Sequence, residues 1–222
     1  MQLSENALRK LFLALALYLT SLFAANTLGL KLMPFLFGSH LSVAVFSFPI
    51  VFLMTDVIGE VYGKRVAKFF VLAGFVSVAL WTAYVFLSLA MPWSADANWV
   101  KDSYNTVFGM SGRIAIASLV AFIVAEYQDV ISFFFFRNKF GMGNFWLRSN
   151  LSNLWSQFLD TTIFMIIAFL SIPSIPFLAD GYTFPVLLGI IVPWWLFKVG
   201  MGVLYTPFSY LALKLLREKP VP

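Results

Sequence analysis

The sequence predicts an all-α membrane protein, a polytopic bundle of six transmembrane helices. Three observations predict this class. Of 222 residues, 61% are hydrophobic and only 11% are charged, and the mean hydropathy is +0.88, whereas soluble domains carry about 25% charged residues. Six apolar stretches reach the roughly 20 residues that a bilayer-spanning helix needs. Lys and Arg also concentrate in alternate connections. We therefore expect a single transmembrane domain over residues 1–222.

Each predicted span is an apolar stretch flanked by connections that hold most of the charge. The spans are residues 11–30, 41–59, 67–91, 114–136, 151–172 and 184–213. The first follows Arg9 and Lys10 and partly imitates a signal peptide. Because its apolar run continues past Asn26 and exceeds a usual signal-peptide core, we expect it to be retained. In the last span, Pro193 and Pro207 indicate either a kinked helix or a broken helix that lines a cavity.

The basic residues predict that both termini are cytoplasmic. Eleven of the 15 Lys and Arg residues fall on the side of the N-terminus, namely Arg9, Lys10, Lys64, Arg65, Lys68, Arg137, Lys139, Arg148, Lys214, Arg217 and Lys219. The opposite side holds three, Lys31, Lys101 and Arg113. Cytoplasmic loops of membrane proteins are enriched in these residues, so the sequence predicts a multi-pass protein of a bacterial inner membrane. The net charge of +5 is then a signal of topology, and we expect no direct contact with nucleic acid.

Polar residues inside the apolar spans are the candidates for function, because a charge at the centre of a membrane helix costs at least about 2.5–3.5 kcal/mol. The candidate substrate-binding residues are Asn26, Asp56, Glu60, Glu126, Asp129, Gln157, Asp160 and Lys198. Several of them share a helix face: Asp56 and Glu60 are four residues apart, and Glu126 and Asp129 are three apart.

Structural roles compete with binding for each candidate. Glu60 is close enough to a basic connection to be an interfacial ion-pair partner. The pair Glu126 and Asp129 could be a buried structural pair with Lys198 or Arg113 as the counter-ion. Gln157 could join helices by hydrogen bonds. Ionisable groups on four helices together favour a functional cavity.

Two classes of function fit these residues, a small-solute transporter and an intramembrane aspartyl enzyme. An aspartyl enzyme would bring Asp56 close to Asp129 or Asp160, but the Gly-x-Gly-Asp signature of such proteases is absent. His40 is the only histidine and follows the first span, which excludes a Ser-His pair and a His-Glu-x-x-His zinc site within the membrane. The chain has no cysteine. We therefore expect a transporter without metal or cofactor, not an enzyme.

The second span and its flank resemble the signature of the queuosine precursor transporter family. The matching residues are Phe48-Pro49, Thr55-Asp56 and Glu60-Val61-Tyr62-Gly63 followed by Lys64-Arg65. Weaker matches follow in the same order, at Glu126-Tyr127, Asp129, Leu147-Arg148, Ser152, Gln157 and Asp160. The resemblance extends over about residues 10–215. One departure is Gln128-Asp129, where the family has a lone neutral amide, and this leaves open which acid contacts the ligand.

The resemblance implies six helices and a distant relation to the substrate-binding subunits of energy-coupling-factor vitamin transporters. It also implies import of 7-cyano-7-deazaguanine or 7-aminomethyl-7-deazaguanine, which cells convert to the queuosine of transfer RNA. A carboxylate can accept two hydrogen bonds from the guanine-like edge of such a molecule, and an aromatic face can stack on its ring. Another planar vitamin or nucleobase is the alternative substrate. The sequence leaves open proton coupling, facilitated diffusion or a partner ATPase, and a homo-oligomer is compatible with it.

Overall fold

The computed structural model describes residues 4–29, 31–34, 40–109, 112–141, 143–171 and 181–216. The described residues form seven α-helices and one short β-hairpin. The helices are α1 Glu5–Leu28, α2 Phe48–Tyr62, α3 Lys64–Ala90, α4 Asn98–Phe108, α5 Gly112–Phe140, α6 Phe145–Phe169 and α7 Phe184–Leu216. The hairpin strands are β1 Leu32–Pro34 and β2 His40–Ser42, and two short 3₁₀ helices cover Val43–Phe46 and Ala95–Ala97. The chain is therefore all-α in class, as the sequence predicts.

Five helical segments are long and apolar enough to cross a membrane. They are Glu5–Leu28, Val43–Tyr62, Lys64–Ala90, Ile114–Phe140 and Phe184–Leu216. At about 1.5 Å per residue, the 24 residues of α1 extend roughly 36 Å, which exceeds the hydrocarbon thickness of a bilayer. These segments make the protein a multi-pass membrane protein.

Helix α6 has the length of a membrane span but a different surface. Its 25 residues include ten buried side chains, most of them polar, and these polar residues lower its mean hydropathy. It begins at Phe145, six residues before the predicted start at residue 151. The sequence prediction was wrong here because Arg148 was assigned to the preceding loop, whereas the structure places it inside the helix.

Other helix boundaries also differ from the prediction. Residues at the start of the predicted second span form β2 and the 3₁₀ helix Val43–Phe46, and α2 begins only at Phe48, where Pro49 occupies the first turn. Proline is favoured there because its missing N–H needs no partner. Helix α4 lies in a connection that was predicted to be a loop. Helix α7 is continuous through Pro193 and Pro207, so the kinked-helix alternative describes it better than a broken helix.

Helix α2 occupies the centre of the bundle. In Val43–Tyr62, the segment that contains α2, 67% of the most apolar 18 residues are buried, against 17% in α7, whose large apolar side chains are mostly exposed. Gly63, with φ of +87°, is the single residue between α2 and α3, and glycine adopts this conformation without steric cost. Gly74 of α3 lets Tyr18 of α1 approach closely, since a Cβ atom there would lie 2.7 Å from the Tyr18 hydroxyl.

The alternating helices give the bundle two chemically different ends. We call one the hairpin end, because β1 and β2 pair there beside the end of α1, where the Ser42 hydroxyl donates to the Gly29 carbonyl at 2.6 Å. We call the other the basic end, because the α2–α3 junction and the end of α5 place Lys64, Arg65 and Arg137 there. Candidate residues lie at both ends and between them.

Candidate functional site: a cavity near the hairpin end

A cavity of about 320 Å³ opens among the helices in the half of the bundle near the hairpin end. The end of α1, the start of α2 and of α5, the later part of α6 and the middle of α7 form its wall. Its volume lies within the roughly 300–1,000 Å³ range of small-molecule sites. Most of its wall is apolar, and a few polar side chains converge on it. This combination is typical of a site for a small planar or amphipathic molecule.

The charged group at the cavity is an ion pair between neighbouring helices. Lys198 of α7 donates from Nζ to Oδ2 of Asp160 of α6 at 2.7 Å, and the two side chains are 24% and 9% exposed. No described residue donates a hydrogen bond to the other carboxylate oxygen, Asp160 Oδ1. One carboxylate oxygen therefore remains available to a ligand.

Two amide side chains complete the polar part of the wall. Gln157 lies three residues before Asp160 on α6, and its buried Oε1 has no partner among the described residues. Asn26 of α1 donates to the Leu22 carbonyl at 2.8 Å and receives a long contact of 3.4 Å from the hydroxyl of Ser118. The cavity thus offers two acceptors, from Gln157 and Asp160, on the same face of one helix.

Aromatic rings form much of the remaining wall. Phe48 at the start of α2 lies beneath the Lys198 ammonium group, with Nζ 5.0 Å from the ring centroid. Trp194 and Phe197 of α7 also line the cavity, as do Phe122 of α5 and Phe164 of α6. Trp194 is one of several tryptophans that could stack on a ligand. Flat rings beside hydrogen-bond acceptors suit a planar heterocycle.

The eight candidate residues divide into two groups in the structure. Asn26, Gln157, Asp160 and Lys198 come together around the cavity. Asp56, Glu60, Glu126 and Asp129 are not among the residues that line it, and all four are buried nearer the basic end. The side chain of Arg113, the proposed counter-ion, lies outside the described residues. Lys198 pairs with Asp160 and with neither Glu126 nor Asp129 among the described ion pairs.

Glu60 belongs to a buried ion-pair group at the basic end. Arg148 of α6, fully buried, donates from Nη2 to Glu60 Oε1 at 3.1 Å, and Arg137 of α5 lies 3.7 Å from Glu60 Oε2. The Arg148 guanidinium also lies 5.3 Å above the Phe133 ring. Glu60 is therefore a structural link among α2, α5 and α6, as the interfacial ion-pair interpretation anticipates in part.

The candidate set left out Arg148, which was assigned to a loop, and a row of serines on α6, of which only Ser152 was named as a family match. Ser149, Ser152 and Ser156 are all fully buried, and Ser149 and Ser156 donate to Asp56 and Asp129 respectively. The signal was present in the sequence, because positions 149, 152, 153, 156, 157 and 160 recur at helical spacing. Together they give α6 a continuous polar face that points into the bundle.

Asp56 and Asp129 each accept a hydrogen bond from a serine on the same face of α6, Ser149 and Ser156. An aspartyl enzyme requires a pair of aspartates, but these two carboxyl groups are 1% and 0% exposed and do not line the cavity. Among the described residues, no group of three or more His, Cys, Asp or Glu side chains could hold a metal ion.

Comparison with known proteins agrees with a transport cavity. Residues 42–212 match the family model described as "Putative vitamin uptake transporter". A "Probable queuosine precursor transporter" of Bacillus subtilis (strain 168) is 31% identical over 82% of this chain and 75% of the relative. The "Queuosine precursor transporter" of Escherichia coli (strain K12) is 30% identical over 69% and 70% of the two chains. A "Probable queuosine precursor transporter" of Haemophilus influenzae is 28% identical over 92% and 78%. No solved structure matches.

A multi-pass helical bundle with a mostly apolar cavity and a few convergent polar groups defines a membrane transporter of small molecules. The chain belongs to the vitamin uptake transporter family, whose matched relatives are named as queuosine precursor transporters. The names of the family and of its matched relatives describe transporters and not enzymes.

Proposed function

We propose that the protein imports queuosine precursors, 7-cyano-7-deazaguanine or 7-aminomethyl-7-deazaguanine, for the modification of transfer RNA. The single observation that carries the proposal is the acceptor pair of α6, Asp160 Oδ1 and Gln157 Oε1, beside an aromatic wall. The names of the relatives support the same class of substrate.

The chemistry of the cavity matches the guanine-like edge of these molecules. That edge presents a ring N–H and an exocyclic amine as adjacent donors, and a carboxylate accepts both. In our proposal Asp160 accepts them, Gln157 and Asn26 pair with the remaining polar atoms, and Lys198 donates to the carbonyl oxygen. Phe48 and Trp194 contact the faces of the ring. Asp56 and Glu60 hold α2 against α5 and α6.

The membrane arrangement that fits this function has six spans, namely the five apolar segments and α6, which is the fifth span in chain order. Its polar face is buried against other helices, so an apolar bilayer does not contact it. The positive-inside pattern then assigns the basic end and both termini to the cytoplasm of the inner membrane. The cavity lies toward the outer side. Six spans are also what the resemblance to the queuosine precursor transporter family implies.

Single cysteines test this orientation, because the natural chain has none. Ser103→Cys, on exposed α4, should react with a membrane-impermeant maleimide in intact cells. Asn138→Cys, exposed near the end of α5, should react only after permeabilisation. The reverse pattern would overturn the orientation.

The function is tested by rescue in bacteria that neither synthesise queuosine precursors nor possess their own importer. Cells that express this protein and receive either compound at low concentration should acquire queuosine in transfer RNA. Asp160→Asn should abolish the rescue at equal protein level, and Asp102→Asn, on exposed α4, is the matched control. Absence of rescue by the natural protein, with its presence in the membrane verified, would overturn the proposal.

A further inference from the structure

Three buried carboxyl groups lie between the cavity and the basic end, and substrate binding as proposed does not use them. Glu126, Asp129 and Asp56 are each at most 1% exposed. We propose that these three acids form a proton path that couples import to the inward movement of a proton. This inference rests on the proposed transport function and adds its source of energy.

The three acids lie one after another in space between the Asp160–Lys198 ion pair and the ion-pair group around Glu60. Glu126 lies one helical turn after Phe122, which lines the cavity, and three residues before Asp129 on α5. Asp129 accepts from Ser156 of α6 at 2.8 Å, and Asp56 accepts from Ser149, two turns nearer the basic end of α6, at 2.5 Å. Ser149 is adjacent in sequence to Arg148, the partner of Glu60. The carboxyl groups therefore form a chain from the cavity toward the basic end.

The polar contacts of the three acids leave positions for a proton. Neither oxygen of Glu126 has a hydrogen-bond partner among the described residues, and the same holds for Asp56 Oδ1 and Asp129 Oδ2. The described ion pairs give none of the three a cation within 4 Å. An ionised carboxylate buried without a cation is costly, and a bound proton removes that charge.

The cations on the neighbouring helices are paired elsewhere or lie toward the surface. Helix α1 contributes Tyr18, whose buried hydroxyl has no described partner. Helix α7 contributes Lys198, which is paired with Asp160 on α6. Arg148 of α6 and Arg137 of α5 are beside Glu60 of α2, and the cations of α3, Lys64, Arg65 and Lys68, lie toward the surface. A proton fits this site better than a metal cation, which would need several oxygen ligands around one point.

Asp160 provides the link between the substrate and the proton. When the substrate donates to Asp160, the contact of Asp160 with Lys198 and the field that Asp160 exerts on Glu126 both change. Binding of substrate and binding of the proton then affect one another reciprocally. At each transfer, an O–H bond forms on one carboxylate as the O–H bond of the preceding donor breaks. The proton enters from the outer side and leaves at the basic end.

Reconstituted liposomes test the coupling separately from the transport. Labelled 7-cyano-7-deazaguanine is uncharged, so K⁺ with valinomycin can hold the membrane potential at zero without affecting it. With the outside one pH unit more acidic, one proton per substrate drives accumulation toward about tenfold, since each tenfold ratio is worth about 1.4 kcal/mol. Glu126→Gln should lose this accumulation at least fivefold but retain exchange of labelled for unlabelled substrate. Asp102→Asn should behave like the natural protein.

The outcomes distinguish the two proposals. Exchange without accumulation by the natural protein under the proton gradient would overturn proton coupling and leave the transport function intact. Accumulation driven by a sodium gradient in place of the proton gradient would also overturn it. Absence of any exchange would overturn the proposed function itself. If Glu126→Gln does not fold, substrate-dependent alkalinisation of the outer medium by the natural protein still tests the claim: alkalinisation supports it and its absence overturns it.

Discussion

The two halves of the bundle use the same residue types in different ways. Near the hairpin end, Asp160 has a cation, Lys198, and borders a cavity. Deeper in the bundle, Asp56 and Asp129 have hydroxyl partners but no described cation, and they are closed off from the cavity. A carboxylate with a cation and an open side can bind a ligand, whereas an enclosed one without a cation holds a structure together or carries a proton. The environment of each acid, and not its residue type, decides its role.

The largest effect, on stability, should come from breaking the buried ion pair between Arg148 and Glu60 at the basic end. Arg148→Leu leaves Glu60 without its buried partner, and breaking such a pair costs about 3–5 kcal/mol. We expect the melting temperature in detergent to fall by roughly 6–20 °C. Arg9→Leu, which removes the exposed surface pair with Glu5, is the control and should change it little. Equal melting temperatures for both variants would show that the buried pair contributes no stability.

The next effect concerns the cavity acid. Asp160→Asn replaces a carboxylate, which can accept both donors of a guanine-like edge, by a neutral amide with a single acceptor oxygen. Loss of a charged hydrogen-bond partner costs about 1.5–3 kcal/mol, so the half-saturation concentration for uptake should rise about 10- to 150-fold. The measurement is initial-rate uptake in liposomes at matched protein. Wild-type affinity in this variant would remove Asp160 from the binding site.

A smaller effect is expected at the aromatic wall. Phe48→Leu keeps an apolar side chain but removes the ring next to Lys198, and stacking of a base on an aromatic ring is worth about 1–3 kcal/mol. Because leucine keeps part of the apolar contact, we expect only the lower part of this range, about 1–1.8 kcal/mol, so the affinity for either deazaguanine should fall by about 5- to 20-fold with stability nearly unchanged. Phe69→Leu, at an exposed ring of α3, is the matched control. An equal loss in both variants would argue against stacking on Phe48.

The smallest effect should appear in the enclosed half. Ser156→Ala removes the hydroxyl that donates to Asp129 Oδ1 and costs about 1 kcal/mol. The melting temperature should fall by roughly 2–4 °C, while affinity for the substrate, measured by exchange at equal pH on both sides, falls much less than in Asp160→Asn. A loss of affinity as large as that of Asp160→Asn would mean that the substrate reaches Asp129 and that the two halves are not distinct.

Much of the fold follows from the sequence, because hydrophobic length alone specifies most of the spans. The start of α6 was misplaced because Arg148 reads as a loop cation until its partner, Glu60, is known to be buried beside it. The cavity was predicted only in part. Helical spacing identifies Gln157 and Asp160 as neighbours, but no pattern within α6 indicates that Lys198 of α7 pairs with Asp160 and not with Glu126. Pairing between distant helices depends on how they pack, and spacing along one helix does not contain that information.

Competition for uptake of labelled 7-cyano-7-deazaguanine tests recognition of the guanine-like edge by Asp160. We predict that 7-deazaguanine competes, because it presents both the ring N–H and the exocyclic amine to Asp160. We predict that 7-deazaadenine, which lacks that pair of donors, leaves uptake unchanged even at hundredfold excess. Equal competition by both compounds would contradict recognition of a guanine-like edge and would point to a different planar substrate.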